Sequence, residues 1–394
     1  MSPAPRRVLL VDDEPNVLQG LTRMLRPLRK EWEVATATSG SAALSMFEAE
    51  GAFDIIVSDM RMPEMDGASL LAAVKARSPS TLRIVLSGET DVDAATRATP
   101  VAHQFLNKPC APELLIDVIK RAGMVAAALE DPRAREAVGG LSTLPSMSKV
   151  CGDVIDALRS EDVSFAELTV LIERDPAIAA KVLHLANASF FGLRRRTSSV
   201  MEGITRLGVE LLRRLVHSFG LLEAIGRSAT NAREVEELQR HALQVGTVAR
   251  IAAPRKELAD DCFVAGLLHD VGKLVCVAAT RTGATSSRRS PPPLASDWPD
   301  GLGCPPARLG ASLLSVWGFP WTVVEAVANF EEEPRLTSGT YGVGGAVYVA
   351  HQMTTTATGD DELGGVDAGY AERLGLREKV AAIRAAAAVT ASEG

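Results

Sequence analysis

The sequence predicts two folded units, an α/β unit with a doubly wound parallel sheet and an all-α unit that follows it. The chain has 394 residues, more than the roughly 100–200 that one domain usually holds. Short apolar runs alternate with segments of helical spacing only before about residue 130. The composition, with 46% hydrophobic and 23% charged residues, is typical of globular proteins, so each unit can bury a core.

Continuous apolar runs mark the strands of the first unit. These runs are Val8–Val11, Ile55–Val57, Ile84–Leu86 and Phe105–Leu106, and a helical segment follows each of them. Parallel strands are covered by helices on both faces, so they read as continuous apolar runs rather than as alternating ones. The alternation therefore predicts βα units around an open parallel sheet.

The rest of the chain reads as helical. The segment from Ala122 to Gly140 is rich in alanine and charge, which predicts that the last helix of the first unit runs on as a connector. A stretch rich in Ser, Arg, Pro and Gly near 280–303 predicts a mobile loop within the second unit. The predicted division is 1–125 for the α/β unit, 126–140 for a helical connector, 141–355 for the all-α unit, and 356–394 for a tail that is partly helical or disordered.

The composition excludes several classes of protein. A formal net charge of −7 gives no support for a general nucleic-acid surface. The five cysteines contain no CxxC pair, which favours a reducing compartment over a disulfide framework. No apolar run approaches the ~18–20 residues of a membrane span, and the start of the chain does not resemble a signal peptide. We therefore expect a soluble, cytoplasmic protein with no membrane partner and no clear nucleic-acid partner.

Acidic residues end two predicted strands of the first unit. Asp12 and Asp13 follow the first apolar run, and Asp59 follows the run that begins at Ile55. Ligands of open parallel sheets bind at the carboxyl ends of the strands, so these carboxylates can converge. Clustered carboxylates repel one another, and a hard cation with oxygen ligands relieves the repulsion. The pattern predicts a Mg²⁺ site.

Two further side chains complete a pocket with the chemistry of phosphoryl transfer. Ser87 ends one strand, and Lys108 follows the strand at Phe105. A lysine and a metal neutralise phosphoryl oxygens while one carboxylate acts as the nucleophile. The competing interpretation is that Asp12 and Asp13 only cap the next helix and that Lys108 lies in an ordinary turn. Helix caps do not require a matching serine and lysine on other strands, so we prefer the pocket.

Residues 6–125 resemble the receiver domain of two-component response regulators. The resemblance lies in VLLVDDEP (8–15), DIIVSDMRMPEMDG (54–67), IVLSGE (84–89) and FLNKP (105–109). It implies a flavodoxin-like sheet of five strands and control by a sensor histidine kinase. The resemblance also leads us to expect a homodimer that pairs through the last helices and strand of the receiver.

The resemblance implies a role for each matching residue. Asp59 would be the phosphoacceptor. Asp13, Asp59 and the backbone carbonyl of Arg61 would bind Mg²⁺, and Asp12 would hold the waters of the metal. The phosphoryl-binding and switch residues would be Ser87, Lys108 and Phe105, with Phe105 swinging inward when Ser87 moves.

The second unit contains LLHDVGKL (267–274) and an upstream histidine, a combination similar to the metal-dependent phosphohydrolases of the HD superfamily. Residues of about 141–355 resemble more specifically the HD-related output domain, HDOD. The matching stretches are LTVLIERDPAIAAKVLHLANASFFG (168–192), GITRLGVELLRRL (203–215) and GASLLSVWGFPWTVVEAV (310–327).

The resemblance also implies that metal ligands are missing. Positions that hold ligands in active HD relatives align with Pro306, Phe330-Glu331 and His351. Two interpretations remain open for the residues that are kept. They form a mononuclear metal site, or they are remnants that hydrogen-bond across helices. The residues concerned are His241, His269, Asp270 and His351. We prefer the second interpretation and expect no metal there.

Two hypotheses about function follow. In the first, phosphorylation of Asp59 switches a non-catalytic HDOD domain that acts through contacts with an unknown protein partner. In the second, the helical domain is a metal-dependent HD-type phosphohydrolase or phosphodiesterase regulated by the receiver. We prefer the first, because proline and phenylalanine cannot ligate a metal.

Overall fold

The computed structural model describes nine stretches of the chain. These stretches are 5–88, 97–146, 148–160, 162–188, 196–218, 232–281, 302–331, 340–355 and 363–392. The mobile loop predicted near 280–303 lies largely outside them, because residues 282–301 are not described.

A five-stranded parallel sheet forms the centre of the first unit, as predicted. Its strands are β1 (Arg6–Val11), β2 (Trp32–Ala37), β3 (Ile55–Asp59), β4 (Leu82–Ser87) and β5 (Gln104–Asn107). The spatial order is β2-β1-β3-β4-β5. This order places β1, β3 and β4 between other strands, and their side chains are almost entirely buried.

Strand β2 shows no continuous apolar run in the sequence. It lies at the edge of the sheet and pairs only with β1 in the described topology. Its two ends, Trp32 and Ala37, are buried, whereas Glu33 between them is exposed. An edge strand is half solvated, so its sequence does not carry the uniform apolar signal of a central strand.

Helices cover both faces of this sheet. Four of them are α1 (Pro15–Met24), α2 (Gly40–Glu50), α3 (Gly67–Arg77) and α4 (Pro112–Ala128). Leu9 and Val11 of β1 pack into one core cluster with α2 and α3, and Val8 and Leu10 pack into the other with α1 and α4. Successive side chains of a strand point to opposite faces, so the four-residue apolar run of β1 serves both cores.

The predicted continuous helix through the connector is wrong, because α4 ends at Ala128 and a separate helix, α5 (Pro132–Gly140), begins four residues later. Proline disfavours the helical conformation of the residue before it, and the Asp131 carboxylate caps the new helix at the Arg133 amide. A Cβ on Gly139 would lie 2.4 Å from the carbonyl oxygen of Pro79. The segment is therefore packed tightly against the first unit.

Beyond α5, the regular secondary structure of the described residues is entirely helical. The helices up to residue 355 are α6 (Ser148–Arg159), α7 (Phe165–Glu173), α8 (Pro176–Ala186), α9 (Val200–Leu207), α10 (Val209–Ser218), α11 (Ala232–Ile251), α12 (Ala259–Leu267), α13 (Val271–Arg281), α14 (Pro306–Val316), α15 (Trp321–Ala328) and α16 (Val343–Thr355). They share one apolar core that extends from Val125 to Ile383.

The tail forms two more helices, α17 (Ala368–Arg373) and α18 (Arg377–Ser392). Tyr370 and Val380 are buried in the core of the helical unit. The Lys379 ammonium donates a hydrogen bond to the carbonyl oxygen of Ala253 at 3.0 Å. The described part of the tail is thus an integral layer of this unit.

One segment is long and apolar enough to span a membrane, although the sequence analysis expected no such segment. Lys256–Ala279 has the length and mean hydropathy of a spanning helix, but 89% of its most apolar window is buried inside the protein. The structure divides it into a short 3₁₀ turn, α12 and α13. Helices buried on all sides are apolar on all sides, which explains the composition.

The two units share an extensive interface. Helix α14 packs along α4, and the Arg121 guanidinium of α4 donates to the carbonyl oxygen of Phe319 at 3.0 Å. The side chain of Gln104 on β5 donates to the carbonyl oxygen of Val316 at 2.8 Å. The surface of α4 and β5, on which the expected receiver homodimer relies, is therefore partly covered by the helical unit.

Candidate functional site

The carboxyl ends of β1, β3 and β5 bring three charged side chains together. The ammonium nitrogen of Lys108 lies 2.7 Å from Asp12 Oδ2 and 2.6 Å from Asp59 Oδ1. Asp12 is fully buried and Asp59 is 7% exposed. Burial lowers the pKa of Lys108, but its bonds to the two carboxylates outweigh burial and raise that pKa above its ordinary value.

Backbone groups hold the two carboxylates in place. The amide of Glu14 donates to Asp12 Oδ1 at 3.0 Å, and the amide of Arg61 donates to Asp59 Oδ2 at 3.0 Å. Helix α1 begins after Glu14 without a side-chain cap, so the capping interpretation of Asp12 does not describe this helix. Asp13 is exposed at the end of β1.

A glycine that the sequence analysis did not single out shapes the loop after Asp59. A Cβ on Gly67 would lie 2.2 Å from the carbonyl oxygen of Asp59. The Gly67 amide donates to the carbonyl oxygen of Met60 at 3.0 Å and closes this loop. The Asp66-Gly67 pair could have indicated this loop from the sequence, because an aspartate before a helix is a typical cap. Asp66 indeed caps α3 by accepting a hydrogen bond from the amide of Ser69.

Ser87 and Phe105 lie on the neighbouring strands. Asp59 pairs with Leu86 across β3 and β4, so Ser87 extends one residue beyond that pair. The amide of Lys108 donates to the carbonyl oxygen of Ser87 at 2.8 Å, which ties the end of β4 to the lysine. Phe105 is 2% exposed and belongs to the core on the α2–α3 side of the sheet, so its ring points inward.

The donor set at this edge fits a hard divalent cation. Carboxylate oxygens of Asp12, Asp13 and Asp59 and the carbonyl of Arg61 are the oxygen ligands that Mg²⁺ prefers. Among the described residues, the buried negative charge of Asp12 and Asp59 is paired with the ammonium group of Lys108. The cluster therefore keeps an excess of negative charge that a cation would neutralise.

A second cluster lies in the helical unit. His241 of α11, His269 between α12 and α13, and His351 of α16 place one ring nitrogen each within 4.8 Å of the others. Burial lowers the pKa of His241 to about 4 and that of His351 to about 3. Both imidazoles are therefore neutral at physiological pH.

Phe330 and Asp270 complete the surroundings of these histidines. The ring centre of Phe330 lies 4.8 Å from that of His269 and 4.9 Å from that of His351. Asp270 Oδ2 lies 2.9 Å from the ammonium of Lys273 and 3.4 Å from His269 Nε2. The four retained HD-type residues thus come together, and Phe330 lies against two of them.

Glycines that the sequence analysis did not single out allow close packing of helices around the histidine cluster. A Cβ on Gly266 of α12 would lie 2.8 Å from the Cα of Gly246 in α11. A Cβ on Gly272 of α13 would lie 1.7 Å from the carbonyl oxygen of Pro306. The sequence did offer a signal for this packing. Glycine destabilises a helix, so glycines inside helices indicate positions of close contact.

A polar cluster between the two units was also missed. His184 Nε2 donates to the carbonyl oxygen of His103 at 2.9 Å, next to β5. Its ring stacks on Trp317 with 4.8 Å between ring centres. The Lys181 ammonium donates to the carbonyl oxygen of Ser142 at 2.8 Å, and burial lowers its pKa to about 7. Motif analysis treats each unit alone, so it gives no signal for such contacts.

Comparison with known proteins divides the chain in the same order. The model of the response regulator receiver domain matches residues 8–120, and the model of the HDOD domain matches residues 144–333. The transcriptional regulatory protein PrrA of Mycobacterium tuberculosis is 32% identical over 213 residues, which cover 52% of this chain and 88% of that protein.

Other matches are more partial. The transcriptional regulatory protein GlrR of Escherichia coli is 36% identical over 139 residues, 35% of this chain, and the chain spans 31% of its length. The receiver domain of an HD domain-containing protein from Pseudomonas fluorescens is 30% identical, with a TM-score of 0.29, and covers 30% of this chain and 95% of that one. Together with the family models and PrrA, the acidic edge of a parallel sheet leads to one conclusion. The chain belongs to the response regulators and carries a receiver domain followed by an HDOD domain.

Proposed function

We propose that this protein accepts a phosphoryl group on Asp59 from a sensor histidine kinase and that the receiver then changes the contacts of the HDOD domain with a protein partner. The observation that carries the proposal is the position of Lys108, within 2.7 Å of both Asp12 and Asp59 at the carboxyl edge of the sheet. None of the five cysteines, all of which lie in the described residues, forms a disulfide, and this is consistent with a cytoplasmic location.

The transfer itself requires a nucleophile and neutralised phosphoryl oxygens. A carboxylate oxygen of Asp59 forms the bond to phosphorus while the phosphorus–nitrogen bond of the phosphohistidine breaks, and the leaving imidazole takes a proton. Lys108 and the hydroxyl of Ser87 would bind the phosphoryl oxygens. Asp12, Asp13, Asp59 and the carbonyl of Arg61 would hold Mg²⁺, which supplies further positive charge to those oxygens.

Phosphorylation would be transmitted through β5. The phosphoryl group adds negative charge at Asp59, so the ion pair of Lys108 with Asp12 and Asp59 must rearrange. Lys108 directly follows β5, which contains the inward ring of Phe105. The side chain of Gln104 on the same strand donates a hydrogen bond to the HDOD domain, and the carbonyl oxygen of the preceding residue, His103, accepts one from that domain. A shift of the lysine loop therefore reaches the domain interface along one strand.

The output is proposed to be non-catalytic. A two-metal hydrolase needs ligands on both ions and room for an attacking water. Pro306 supplies no side-chain ligand, and the Phe330 ring lies against His269 and His351 where such a water would need space. This geometry favours protein contacts over phosphodiester hydrolysis, which stays the second candidate.

Acetyl phosphate with Mg²⁺ tests the first part of the proposal. We expect intact-protein mass spectrometry to show one added phosphoryl group, and we expect Asp59→Asn to abolish it. Glu48→Gln, which changes an exposed carboxylate in an ion pair with Arg77, is the matched control and should be labelled normally. Labelling of the Asp59→Asn protein to the wild-type level would refute the assignment.

A further inference from the structure

A cavity of about 180 Å³ lies where the receiver meets the segment between the two domains. One wall is formed at the amino ends of β3 and β4, and the other walls are formed by the last turns of α4 and by α5. The cavity is therefore at the opposite edge of the sheet from the acidic cluster. We propose that it binds a free α-amino acid with a branched or aromatic apolar side chain, and that this ligand holds the segment between the domains against the receiver.

The interior of the cavity is apolar. Its lining includes Phe53, Ile55, Val125, Leu129 and Val138, and each of these residues is at most 7% exposed. An apolar cavity of about 150 Å³ is large enough to hold a molecule of benzene. The space therefore suits one aromatic ring or one branched aliphatic side chain, and these apolar side chains offer no hydrogen bond to a polar group placed among them.

Two opposite charges line the same cavity, on Asp54 and Arg135, which are both half-buried. Asp54 Oδ2 accepts a hydrogen bond from the amide of Arg7 at 2.8 Å, and no described residue binds its Oδ1. The Arg135 guanidinium donates to the carbonyl oxygens of Leu129 and Glu130 at 2.7 and 3.0 Å. Within the described ranges neither charge has an ion-pair partner, so both remain available to a ligand.

The bonds of Arg135 hold its guanidinium in place without using all of its donors. A guanidinium has N–H groups beyond the two that bind these carbonyls, so a carboxylate can still bind to it. The remaining oxygen of Asp54 can accept from an ammonium group. Because one small cavity is lined by both residues, one small molecule can reach both.

An α-amino acid matches this combination of charge and shape. It carries an ammonium group and a carboxylate on the same carbon, and its side chain is directed away from them. Its charges therefore meet Asp54 and Arg135 while its side chain enters the apolar interior. Ligand sites are typically concave and mostly apolar, with a few polar groups that fix the orientation of the ligand.

The cavity walls come from both sides of the break between α4 and α5. The carbonyl oxygen of Gly139 in α5 already accepts a hydrogen bond from Arg83 of β4 at 2.5 Å. A ligand that contacts Asp54 of the receiver and Arg135 of α5 adds a second link across the same joint. A ligand that binds only this packed arrangement stabilises it by mass action. Bound amino acid therefore opposes movement of α5 away from the receiver.

Calorimetric titration of the full-length protein tests the binding. We expect L-leucine or L-phenylalanine to bind with a stoichiometry of one per chain. Glycine lacks the apolar side chain, 3-phenylpropanoate lacks the ammonium group and phenethylamine lacks the carboxylate, so each should bind about 10-fold more weakly or worse. The proposal is overturned if neither amino acid binds saturably at millimolar concentrations, or if one of the incomplete compounds binds as tightly as phenylalanine.

Variants locate the ligand. Asp54→Asn and Arg135→Gln should each lower the affinity by about 10-fold or more, because each removes one charge-assisted contact. Arg133→Gln changes an exposed arginine of the same helix and should bind normally. Ala126→Phe places a ring in the cavity from a half-buried position and should abolish binding. Circular dichroism checks that each variant is folded, and the series of compounds on the wild type decides the question even where a variant is not.

Tryptic cleavage at Arg133 tests the effect on the segment between the domains. We expect saturating ligand to slow this cleavage in the wild type but not in Asp54→Asn at the same ligand concentration. An unchanged rate in the wild type would show that the ligand does not hold the segment. The binding does not rest on the proposed function, since acetyl phosphate labels Asp59 at the other edge of the sheet. Failure of either experiment therefore leaves the other assignment standing.

Discussion

The acidic cluster of the receiver and the histidine cluster of the HDOD domain differ in how their polar atoms are satisfied. In the first, Lys108 bridges Asp12 and Asp59, and a backbone amide donates a hydrogen bond to the other oxygen of each carboxylate. In the second, three buried polar atoms have no hydrogen-bond partner within the described residues, namely His269 Nε2, Asp270 Oδ1 and His351 Nδ1. Charge and hydrogen bonds therefore position the side chains of the acidic cluster, whereas contacts with the Phe330 ring help to position those of the histidine cluster.

The surroundings differ as well. The acidic cluster lies at the exposed edge of a sheet, where Lys108 keeps 28% of its side chain in contact with solvent. The histidine cluster lies inside a helical core, where His269 is fully buried. We therefore expect substitutions around the histidines to affect mainly stability and substitutions around the carboxylates to affect mainly switching. The predictions that follow test this difference.

Phe330→Ala should have the largest effect. Phe330 is 1% exposed, and the loss of a buried phenylalanine typically costs about 3–4 kcal/mol of unfolding free energy. Phe165→Ala removes a ring that is 38% exposed at the start of α7 and should cost less than about 1 kcal/mol. Urea denaturation measures both. A small effect of Phe330→Ala would mean that the histidine cluster is as open to solvent as the acidic one.

Gly272→Ala should come next, with a loss of roughly 2–3 kcal/mol. The added methyl group would lie 1.7 Å from the carbonyl oxygen of Pro306, a backbone atom that can move only with its helix. Gly152→Ala in α6 meets nothing within 4 Å and should be neutral or stabilising by up to ~1 kcal/mol. Equal unfolding free energies for the two variants would contradict the close contact of α13 with Pro306.

Lys108→Ala should cost about 1–2 kcal/mol without Mg²⁺, because Asp12 and Asp59 then repel each other without a counter-ion. Added Mg²⁺ should restore most of the loss. Acetyl phosphate should still label the protein, but tryptic cleavage at Arg133 in the segment between the domains should no longer respond to it. Lys30→Ala, an exposed lysine of the receiver, serves as the control. A full response of the Lys108→Ala protein would show that the lysine does not couple the pocket to the interface.

Gln104→Ala should have the smallest effect, a loss of about 1 kcal/mol from one hydrogen bond between the domains. Gln19→Ala, on the exposed surface of α1, is the matched control and should be neutral. The informative readout is the tryptic response to acetyl phosphate, which should be weakened only in Gln104→Ala. An unchanged response would place the coupling elsewhere on β5 or on α4.

Sequence reasoning reached the acidic cluster because its geometry is local. Asp12, Asp59 and Lys108 each follow a strand, and parallel strands end at a common edge whatever the rest of the fold does. The histidine cluster depended on the HD resemblance, since nothing in the spacing of His241, His269 and His351 determines how three helices pack. That His269 Nε2 and His351 Nδ1 lack hydrogen-bond partners among the described residues is visible only in three dimensions.

Three elements were not fully read from the sequence, and their causes differ. Strand β2 lacked an apolar run because it lies at an edge. The connector helix is broken where Asp131 caps a new helix before Pro132. The apolar stretch Lys256–Ala279 reads like a membrane span because it is enclosed by its own domain. Burial determined the sequence pattern of β2 and of Lys256–Ala279, whereas proline and a helix cap determined the break in the connector.

The hydrogen bonds that join Gln104 and His103, at the start of β5, to the HDOD domain have a thermodynamic consequence for the whole chain. Gln104 and His103 bond to the HDOD domain within a few residues of Lys108, so under the proposed function the phosphorylation of Asp59 and the docking of the two domains would be linked equilibria. Linkage is reciprocal, so if phosphorylation favours the undocked HDOD domain, a partner that binds the undocked domain would favour phosphorylated Asp59 by the same factor. An output partner would thus prolong the very signal that recruits it.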